Sequence, residues 1–314
     1  MKNILRTHRD YIVFLIIAVF LPYISLSVAE ATDMILYGLF AMAFNILLGF
    51  TGILSFGHGL FFGLGAYGTG LYLRWVAVSP ISLIVGIISA TLIAAVVAYF
   101  CTIRKGVYFA MITIAFNQLF YFIFYSWRSF TGGDDGLIGL ERFKINIPFI
   151  STIYLTDHFV RYYFFLIIVA ISIYLIKRIV ESPFGLVLQG IRENEERVKC
   201  IGYDIDRYKF ISFLLSGLFS GVAGALYVIH LKYVGITTLH WSFSGEVIMM
   251  TLLGGMYTLF GPFAGAILYV FLRDLFCKYT THWQLIVGAL FIVLTLWLRR
   301  GVLGRLVSYL EVRK

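Results

Sequence analysis

Side chains that could carry chemistry are few in this chain of 314 residues, and they lie far apart. The three cysteines form no Cys-x-x-Cys pair, and the six histidines lack the spacing of metal ligands. GxxxxGK[ST], HExxH and GxSxG are all absent, so the sequence has no motif for nucleotide hydrolysis, zinc-dependent proteolysis or esterase chemistry. We therefore expect no enzyme activity and no cofactor or metal bound by this chain.

Glu246 is the carboxylate that stands out, because it lies in an apolar stretch without an opposite charge beside it in sequence. An ionisable group inside a membrane is costly and is a functional candidate for that reason. A proton-coupled carrier would need such a group at mid-membrane, and a hydrogen-bonding role in the fold is the alternative. Arg273 and Asp274 form a second charged position, but they are adjacent and opposite in sign.

The elements that must position these residues are helices in a membrane. Apolar residues make up 61% of the chain and charged residues 13%, whereas soluble domains have about 45–50% and about 25%. The mean hydropathy is +0.91, which excludes an ordinary soluble enzyme. Ten segments are predicted to span, two of them short: 11–29, 34–50, 57–73, 81–101, 107–126, 160–176, 210–231, 244–258, 262–277 and 283–298. We predict an all-α integral membrane protein, a polytopic bundle of about ten spans, or nine if 244–258 re-enters. Residues 1–314 then form a single transmembrane domain.

Basic residues give the orientation of this bundle. With a cytoplasmic N-terminus, 17 of the 25 Lys and Arg residues lie in the cytoplasmic segments, while the acidic residues divide evenly. This is the positive-inside pattern, and it predicts that both termini are cytoplasmic. The net charge of +9 is then a topology signal and not a nucleic-acid footprint. The N-terminus also fits a signal peptide ending at 29–31, but its apolar stretch is long, which favours a retained first helix.

Two connections are longer than the others: residues 127–159 outside and residues 177–209 in the cytoplasm. In the cytoplasmic segment, Pro183 and Gly185 end one helix, and an amphipathic helix is predicted from Val187. Its basic and acidic residues balance, which favours a groove on a protein partner over the anionic inner leaflet. The candidate contact residues combine an apolar stripe with flanking polar groups: Leu188, Ile191, Arg192, Glu193, Asn194, Glu195 and Val198.

An internal repeat is predicted from five residues that recur 202 positions later. Gly52, Gly59, Phe61, Gly63 and Tyr67 correspond to Gly254, Gly261, Phe263, Gly265 and Tyr269. Each copy is rich in glycine at the end of a short span, and broken helices often border substrate pathways. The alternatives are chance similarity in a glycine-rich chain, or tight packing with no pathway. The candidate pathway residues are Asn45, Ser55, Gly57, His58, Gly59 and Glu246.

Five stretches resemble a known family. They are F-N-I-L-L-G-F-T-G-I-L-S-F-G-H-G at 44–59, R-K-G-V-Y-F-A-M-I-T at 104–113, T-G-G-D-D-G-L at 131–137, S-P-F-G at 182–185 with R-E-N-E at 192–195, and L-G-G-M at 253–256 with G-P at 261–262. The chain is similar to the membrane subunits of branched-chain amino acid ABC importers. The S-x-G-H and R-E-N-E forms favour the LivM type over the LivH type.

The resemblance implies a permease subunit in a bacterial cytoplasmic (inner) membrane that takes up leucine, isoleucine and valine. It implies four kinds of partner besides the lipid bilayer: a second permease of LivH type, two ABC ATPases of LivG/LivF type that use the ATP, and a periplasmic or extracellular amino-acid-binding protein. Ile53 and the pair Arg299-Arg300 depart from the family pattern, so the solute is less defined than the family. Urea importers use similar permeases, and a self-sufficient secondary carrier is the alternative from another class.

The external loop is the predicted docking place for the binding protein. Its glycines permit turns with positive φ, and its paired carboxylates lie on a face that is otherwise neutral. A solvated turn without a partner is the alternative. The residues concerned are Thr131, Gly132, Gly133, Asp134, Asp135 and Gly136.

Overall fold

A computed structural model describes residues 2–76, 79–102, 106–140, 144–147, 151–154 and 157–297. Its helices are α1 (Lys2–Ile24), α2 (Val28–Asn45), α3 (His58–Trp75), α4 (Ile81–Cys101), α5 (Val107–Ser126), α6 (Arg128–Thr131), α7 (His158–Val180), α8 (Pro183–Glu193), α9 (Glu195–Cys200), α10 (Ile205–Leu231), α11 (Trp241–Gly254), α12 (Gly261–Cys277) and α13 (Trp283–Trp297). The pair Arg104-Lys105 and the tail 298–314, expected in the cytoplasm, lie outside the described residues.

Each of the ten predicted spans overlaps a helix of the structure, but 11–29 runs past the end of α1 into the start of α2, and 244–258 runs past the end of α11. Within the residues that the structure describes, five stretches are by themselves long and apolar enough to cross a membrane: Val28–Thr51, Ile81–Cys101, Val107–Ser126, His158–Val180 and Ile205–Leu231. Helix α11 has 14 residues and rises about 21 Å, less than the ~30 Å of a hydrocarbon core. The structure therefore supports a helical membrane protein, and the count of ten spans stays a prediction.

A short hairpin lies among the helices of this predominantly helical chain, whose predicted all-α class the structure supports. Strand β1 (Lys144–Ile147) pairs antiparallel with β2 (Ser151–Tyr154) inside the long external connection. Strands of four residues give too short an alternation of polar and apolar side chains to be separated from a loop by sequence.

Helix α10 lies at the centre of the bundle and contacts α2, α3 and α4. Glycines let these backbones approach closely: a Cβ on Gly65 would collide with the carbonyl oxygen of Gly221, and one on Gly224 with that of Phe62. Small residues at helix crossings provide the close packing that stabilises bundles in lipid. Helix α5, by contrast, has only three buried residues and lies at the edge of this core.

The cytoplasmic segment contains two helices where one was predicted from Val187. Helix α8 begins at Pro183, because proline is well suited to the first turn, where its missing N–H is not needed. It ends before Asn194, whose backbone is extended and whose Oδ1 accepts a hydrogen bond from Arg197 N at 3.0 Å. Asn194 is thus the N-cap of α9, and it turns the chain between the two helices.

Candidate functional site

Each copy of the predicted repeat contains a loop between two helices, with a glycine of positive φ near its start. The copies differ in detail: the π-helical turn occurs in the first, and the positive φ is at Gly52 there but at Gly255 in the second, one residue after its counterpart Gly254. In the first, α2 continues as a π-helical turn (Ile46–Thr51), Gly52 has φ +77°, and residues 52–57 form a loop before α3. In the second, α11 is followed by Gly255 with φ +107° and by the loop 255–260 before α12. We call the π turn with its loop, residues 46–57, the first break, and the loop 255–260 the second break. A π turn inside a helix is rare and often marks a functional site.

The two breaks approach each other on one side of the bundle. Asn45, at the end of α2, donates a hydrogen bond through Nδ2 to the carbonyl oxygen of Thr258 in the second break, at 3.3 Å. A Cβ on Gly49 would collide with the carbonyl oxygen of Met256. A shift of either break therefore has to move the other, because the backbones are already in contact.

Buried hydrogen bonds hold the start of α3. His58 Nε2 lies 2.7 Å from Ser216 Oγ, and Ser216 Oγ donates to the carbonyl oxygen of Ala43 at 2.7 Å. Since the serine proton is used there, Nε2 carries the imidazole proton, and Nδ1 is a buried acceptor without a hydrogen-bond partner among the described residues. Gly59 N donates to Ser244 Oγ at 2.8 Å.

Of the other predicted pathway residues, Ser55 is also fully buried, and its Oγ accepts a hydrogen bond from Gly57 N at 3.2 Å. The structure thus brings Ser55, Gly57, His58 and Gly59 together at the first break. Asn45 instead faces the second break, as its bond to Thr258 shows.

Glu246 lies on α11, half-buried, and interacts with Tyr269 and Arg273 of α12. Glu246 has no opposite charge beside it in sequence, and Arg273 of another helix supplies one. Arg273 also donates to Asp33 Oδ2 and Asp274 Oδ1, each at 2.9 Å. Asp33 was not singled out by sequence reasoning, although a carboxylate beside an apolar span is a signal that could have found it.

The apolar stripe of the cytoplasmic segment faces this chain and not a partner. Leu188, Ile191 and Val198 are at most 8% exposed, and α8 packs against α7, α10 and the π turn. This corrects the expectation that the stripe would be buried against another protein. Periodicity shows that one helix face is apolar but does not show what covers it.

The charged neighbours of the stripe differ in their surroundings. Glu193 and Asn194 are exposed. Glu195 forms an ion pair with Lys209 of α10, whose side chain is buried, and this pair ties α9 to the bundle. Lys209 was not predicted as a site residue, although its charge at the edge of an apolar span is a signal of the same kind as that of Asp33.

Arg192 connects the cytoplasmic segment to both breaks. Its guanidinium donates a hydrogen bond to the carbonyl oxygen of Gly49 and lies over the ring of Tyr257 in the second break, with Cζ 5.2 Å from the ring centroid. Its aliphatic part lies against Gly52, where a Cβ would be 2.6 Å from Arg192 Cγ. Arg192 is therefore a residue of contact within the chain, where the sequence predicted contact with a partner.

A cleft of about 470 Å³ lies between the first break, the start of α5 and the cytoplasmic segment. Its lining comes from Gly52, Ile53, Leu54, Phe56, Gly106, Val107, Phe109, Ala110, Glu195 and Lys209. The ion pair of α9 and α10 thus borders the same space as the glycine-rich break.

The external loop is a rigid turn that presents two carboxylates. Gly132, Gly133 and Gly136 all have positive φ, as predicted. Thr131 is buried, and its Oγ1 bonds the carbonyl oxygens of Phe124 and Trp127 at the end of α5. Asp134 and Asp135 are exposed.

The long apolar helices and the two breaks joined by Arg192 describe a polytopic helical membrane protein. The chain belongs to the family described as branched-chain amino acid transport system / permease component, whose model matches residues 27–296. It is thus an ABC transporter permease component of the branched-chain amino acid family.

Three relatives show the range of this family. The high-affinity branched-chain amino acid transport system permease protein LivM of Salmonella typhimurium is 27% identical, over 92% of this chain and 73% of the relative. LivM of Escherichia coli is 26% identical, over 93% and 74%. The guanosine ABC transporter permease protein NupQ of Bacillus subtilis is 23% identical, over 41% and 40%. No solved structure matches the chain.

Proposed function

We propose that this chain is a transmembrane subunit of an ABC importer in the bacterial cytoplasmic membrane, with both termini cytoplasmic. It passes leucine, isoleucine and valine inward while separate ATPase subunits hydrolyse ATP. The observation that carries the proposal is the position of Arg192, because a cytoplasmic segment in contact with both breaks can transmit a movement to them. The similarity to two LivM proteins supports the class of solute.

The ATPases contact the exposed side of α8, α9 and the turn after them. Leu186 is 65% exposed and Ile201 is 70% exposed, and the charged residues Glu193, Glu196 and Arg197 of the same two helices are exposed as well. Apolar anchors within a charged rim are the usual composition of a protein interface. Leu188, Ile191 and Val198 support this surface from beneath.

The remaining partners are a second permease of LivH type and an amino-acid-binding protein that docks at residues 131–136. The exposed carboxylates of Asp134 and Asp135 provide a charge that a basic patch on the binding protein can meet. The rigid turn under them reduces the entropy that docking would cost.

A nucleoside is the second candidate solute. NupQ, named a guanosine permease, matches 41% of the chain, so the same fold serves a different solute in a relative. Urea stays a candidate through the family resemblance alone. A self-sufficient secondary carrier would use Glu246 as a proton site, and the transport test below separates that class from an ABC importer.

The test is uptake in a bacterial host without its own branched-chain importers. The chain is expressed with a second permease of LivH type, two ATPases of LivG/LivF type and an amino-acid-binding protein from the same organism, and radiolabelled leucine, guanosine and urea are supplied separately. We expect accumulation of leucine that disappears when both ATPases carry an inactive Walker motif. Accumulation that persists with the inactive ATPases would overturn the ABC mechanism, and accumulation of guanosine alone would select the second solute.

A further inference from the structure

One face of α5 follows the first break and the beginning of α3. Thr113 Oγ1 accepts a hydrogen bond from Phe56 N at 3.2 Å, and two turns further along, the ring of Tyr121 lies 5.2 Å from that of His240. Near the external end, Phe124 packs against Tyr67 of α3 with ring centroids 4.9 Å apart. We call this contact, from Thr113 to Phe124, the α5 seam.

Asn117 lies in the middle of the α5 seam, one turn after Thr113 and one turn before Tyr121. Its side chain is fully buried, yet neither Oδ1 nor Nδ2 has a hydrogen-bond partner among the described residues. Buried amides are almost always hydrogen-bonded, and an exception needs an explanation such as a missing water or ligand. If Asn117 only filled space, a leucine would fill it without the free-energy cost of burying an amide that has no hydrogen bond.

The seam is also the weakly packed part of the bundle. Phe109, Thr113 and Asn117 are the only buried residues of α5, and two of these three are polar. The first turn of α5, just before the seam, borders the cleft that Lys209 and Glu195 also line. At the other end of the seam, the carbonyl oxygen of Phe124 accepts a hydrogen bond from Thr131 Oγ1 of the docking loop. A helix with few buried contacts separates from its neighbours at low free-energy cost. Helix α5 also runs from the cleft beside the cytoplasmic segment to the loop proposed to dock the binding protein.

We propose that the α5 seam is a stretch of the solute route and that the Asn117 amide binds the polar head of a zwitterionic amino acid there. Oδ1 accepts a hydrogen bond from the ammonium group, and Nδ2 donates one to the carboxylate. An uncharged amide suits a solute of zero net charge that must leave again, because a full charge would hold it more tightly. The class of solute rests on the proposed function, whereas the position of the route does not.

The first test compares two buried asparagines, of which Asn45 has a hydrogen-bond partner and Asn117 has none among the described residues. Asn117→Leu removes the unpartnered amide, and Asn45→Leu, the control for stability, removes one that donates to Thr258. We expect Asn45→Leu to melt at lower temperature in detergent and Asn117→Leu to melt at the wild-type temperature or above. The KM for leucine uptake by Asn117→Leu should rise about tenfold or more, because one or two hydrogen bonds to the solute are lost.

Two results of this comparison overturn the proposal. If Asn117→Leu lowers the melting temperature as Asn45→Leu does, the amide is structural. If its uptake of leucine keeps the wild-type KM, the amide does not bind the solute.

The second test measures access from water during transport. In a background in which Cys101, Cys200 and Cys277 are alanine, Asn117→Cys is compared with Leu119→Cys, which faces outward from α5, and Ala98→Cys, which is buried in α4. A permanently charged methanethiosulfonate reagent is added to membranes containing the whole transporter and ATP. Only thiolates in contact with water react quickly, so we expect rapid labelling at position 117 alone, slowed by excess leucine.

Slow labelling at position 117 in membranes that import leucine overturns the proposal, as does rapid labelling that leucine does not slow. If Asn117→Cys does not assemble, Tyr121→Cys on the same face is measured in its place. If the wild-type chain imports guanosine and not leucine, the zwitterionic solute is overturned, while the labelling at position 117 still decides whether the seam is the route.

Discussion

Arg192 donates a hydrogen bond to the carbonyl oxygen of Gly49, a residue 143 positions earlier in the chain, and so joins the cytoplasmic segment to the end of α2. The same guanidinium covers the ring of Tyr257 in the second break. One side chain therefore contacts both copies of the repeat. Because the two breaks also touch each other, a displacement of α8 reaches them together.

Arg192→Lys should uncouple ATP hydrolysis from uptake. Lysine keeps the charge but loses the planar group that bonds Gly49 and stacks on Tyr257 at once. The loss of one charge-assisted hydrogen bond, about 1.5–3 kcal/mol, corresponds to a fall in uptake of roughly tenfold or more. ATPases should still copurify and hydrolyse ATP. Arg74→Lys is the control, because Arg74 is exposed at the end of α3 and also lies over an aromatic ring, that of Trp75. Uptake at the wild-type rate by Arg192→Lys would show that the link is not needed.

Substitutions in the cytoplasmic segment should have two kinds of effect: those at buried positions should destabilise the fold, and those at exposed positions should weaken binding of the ATPases. Ile191→Asp buries an unpaired carboxylate and should destabilise the chain by about 3 kcal/mol or more, seen as a lower melting temperature in detergent. Leu186→Asp and Ile201→Asp change exposed positions and should melt normally but lose the ATPases on purification. Retention of the ATPases by both exposed variants would place the contact elsewhere.

A large side chain in place of glycine at or beside the first break should stop transport. A Cβ on Gly59 would already lie 3.1 Å from Ser244 Oγ, and one on Gly57 would lie 3.1 Å from the carbonyl oxygen of Thr113. Gly57→Leu and Gly59→Leu should therefore abolish uptake of labelled leucine while the ATPases still copurify. Gly245→Leu is the matched control, since nothing lies within 4 Å of a Cβ there. Normal uptake by both break variants would mean that the break does not border the route.

The external carboxylates should contribute to the affinity for the binding protein. Asp134→Asn with Asp135→Asn removes two exposed charges, each worth about 0.2–1 kcal/mol in a surface pair, so binding should weaken by roughly two- to thirtyfold. The measurement is ATPase stimulation against concentration of binding protein in reconstituted membranes, repeated at high salt, where the difference should shrink. Asp206→Asn, exposed in the cytoplasm, is the control. An unchanged stimulation curve would remove the loop from the docking site.

The pair of Asp33 and Arg273 should stabilise the contact between α2 and α12. Arg273→Gln leaves Asp33 without the cation 2.9 Å away. Because the pair is only partly buried, the cost should be below the roughly 3–5 kcal/mol of breaking a fully buried pair, and about 1–3 kcal/mol is expected. The double variant with Asp33→Asn should recover a large part of that loss, which a double-mutant cycle of unfolding measures. Additive losses in the double variant would contradict a direct coupling.

Much of the architecture was predictable from local sequence. Apolar stretches of span length located all ten long helices, because in lipid a helix satisfies its own backbone hydrogen bonds. The glycine pattern located both breaks and the positive φ values at Gly132, Gly133 and Gly136, since only glycine adopts that conformation freely. The motifs at 44–59 and 182–195 indicated the family without any structure.

Only the tertiary structure decided which surfaces these elements use. The stripe of Leu188, Ile191 and Val198 fits a groove on a partner as well as it fits the chain's own helices, and periodicity is the same in both cases. The Arg192 link to Gly49 and Tyr257 and the pairing of Asp33 with Arg273 join residues far apart in sequence. The Asn117 amide has no hydrogen-bond partner among the described residues, and this depends on what packs around α5. Such contacts depend on the relative placement of helices, which the pattern of any one helix does not contain.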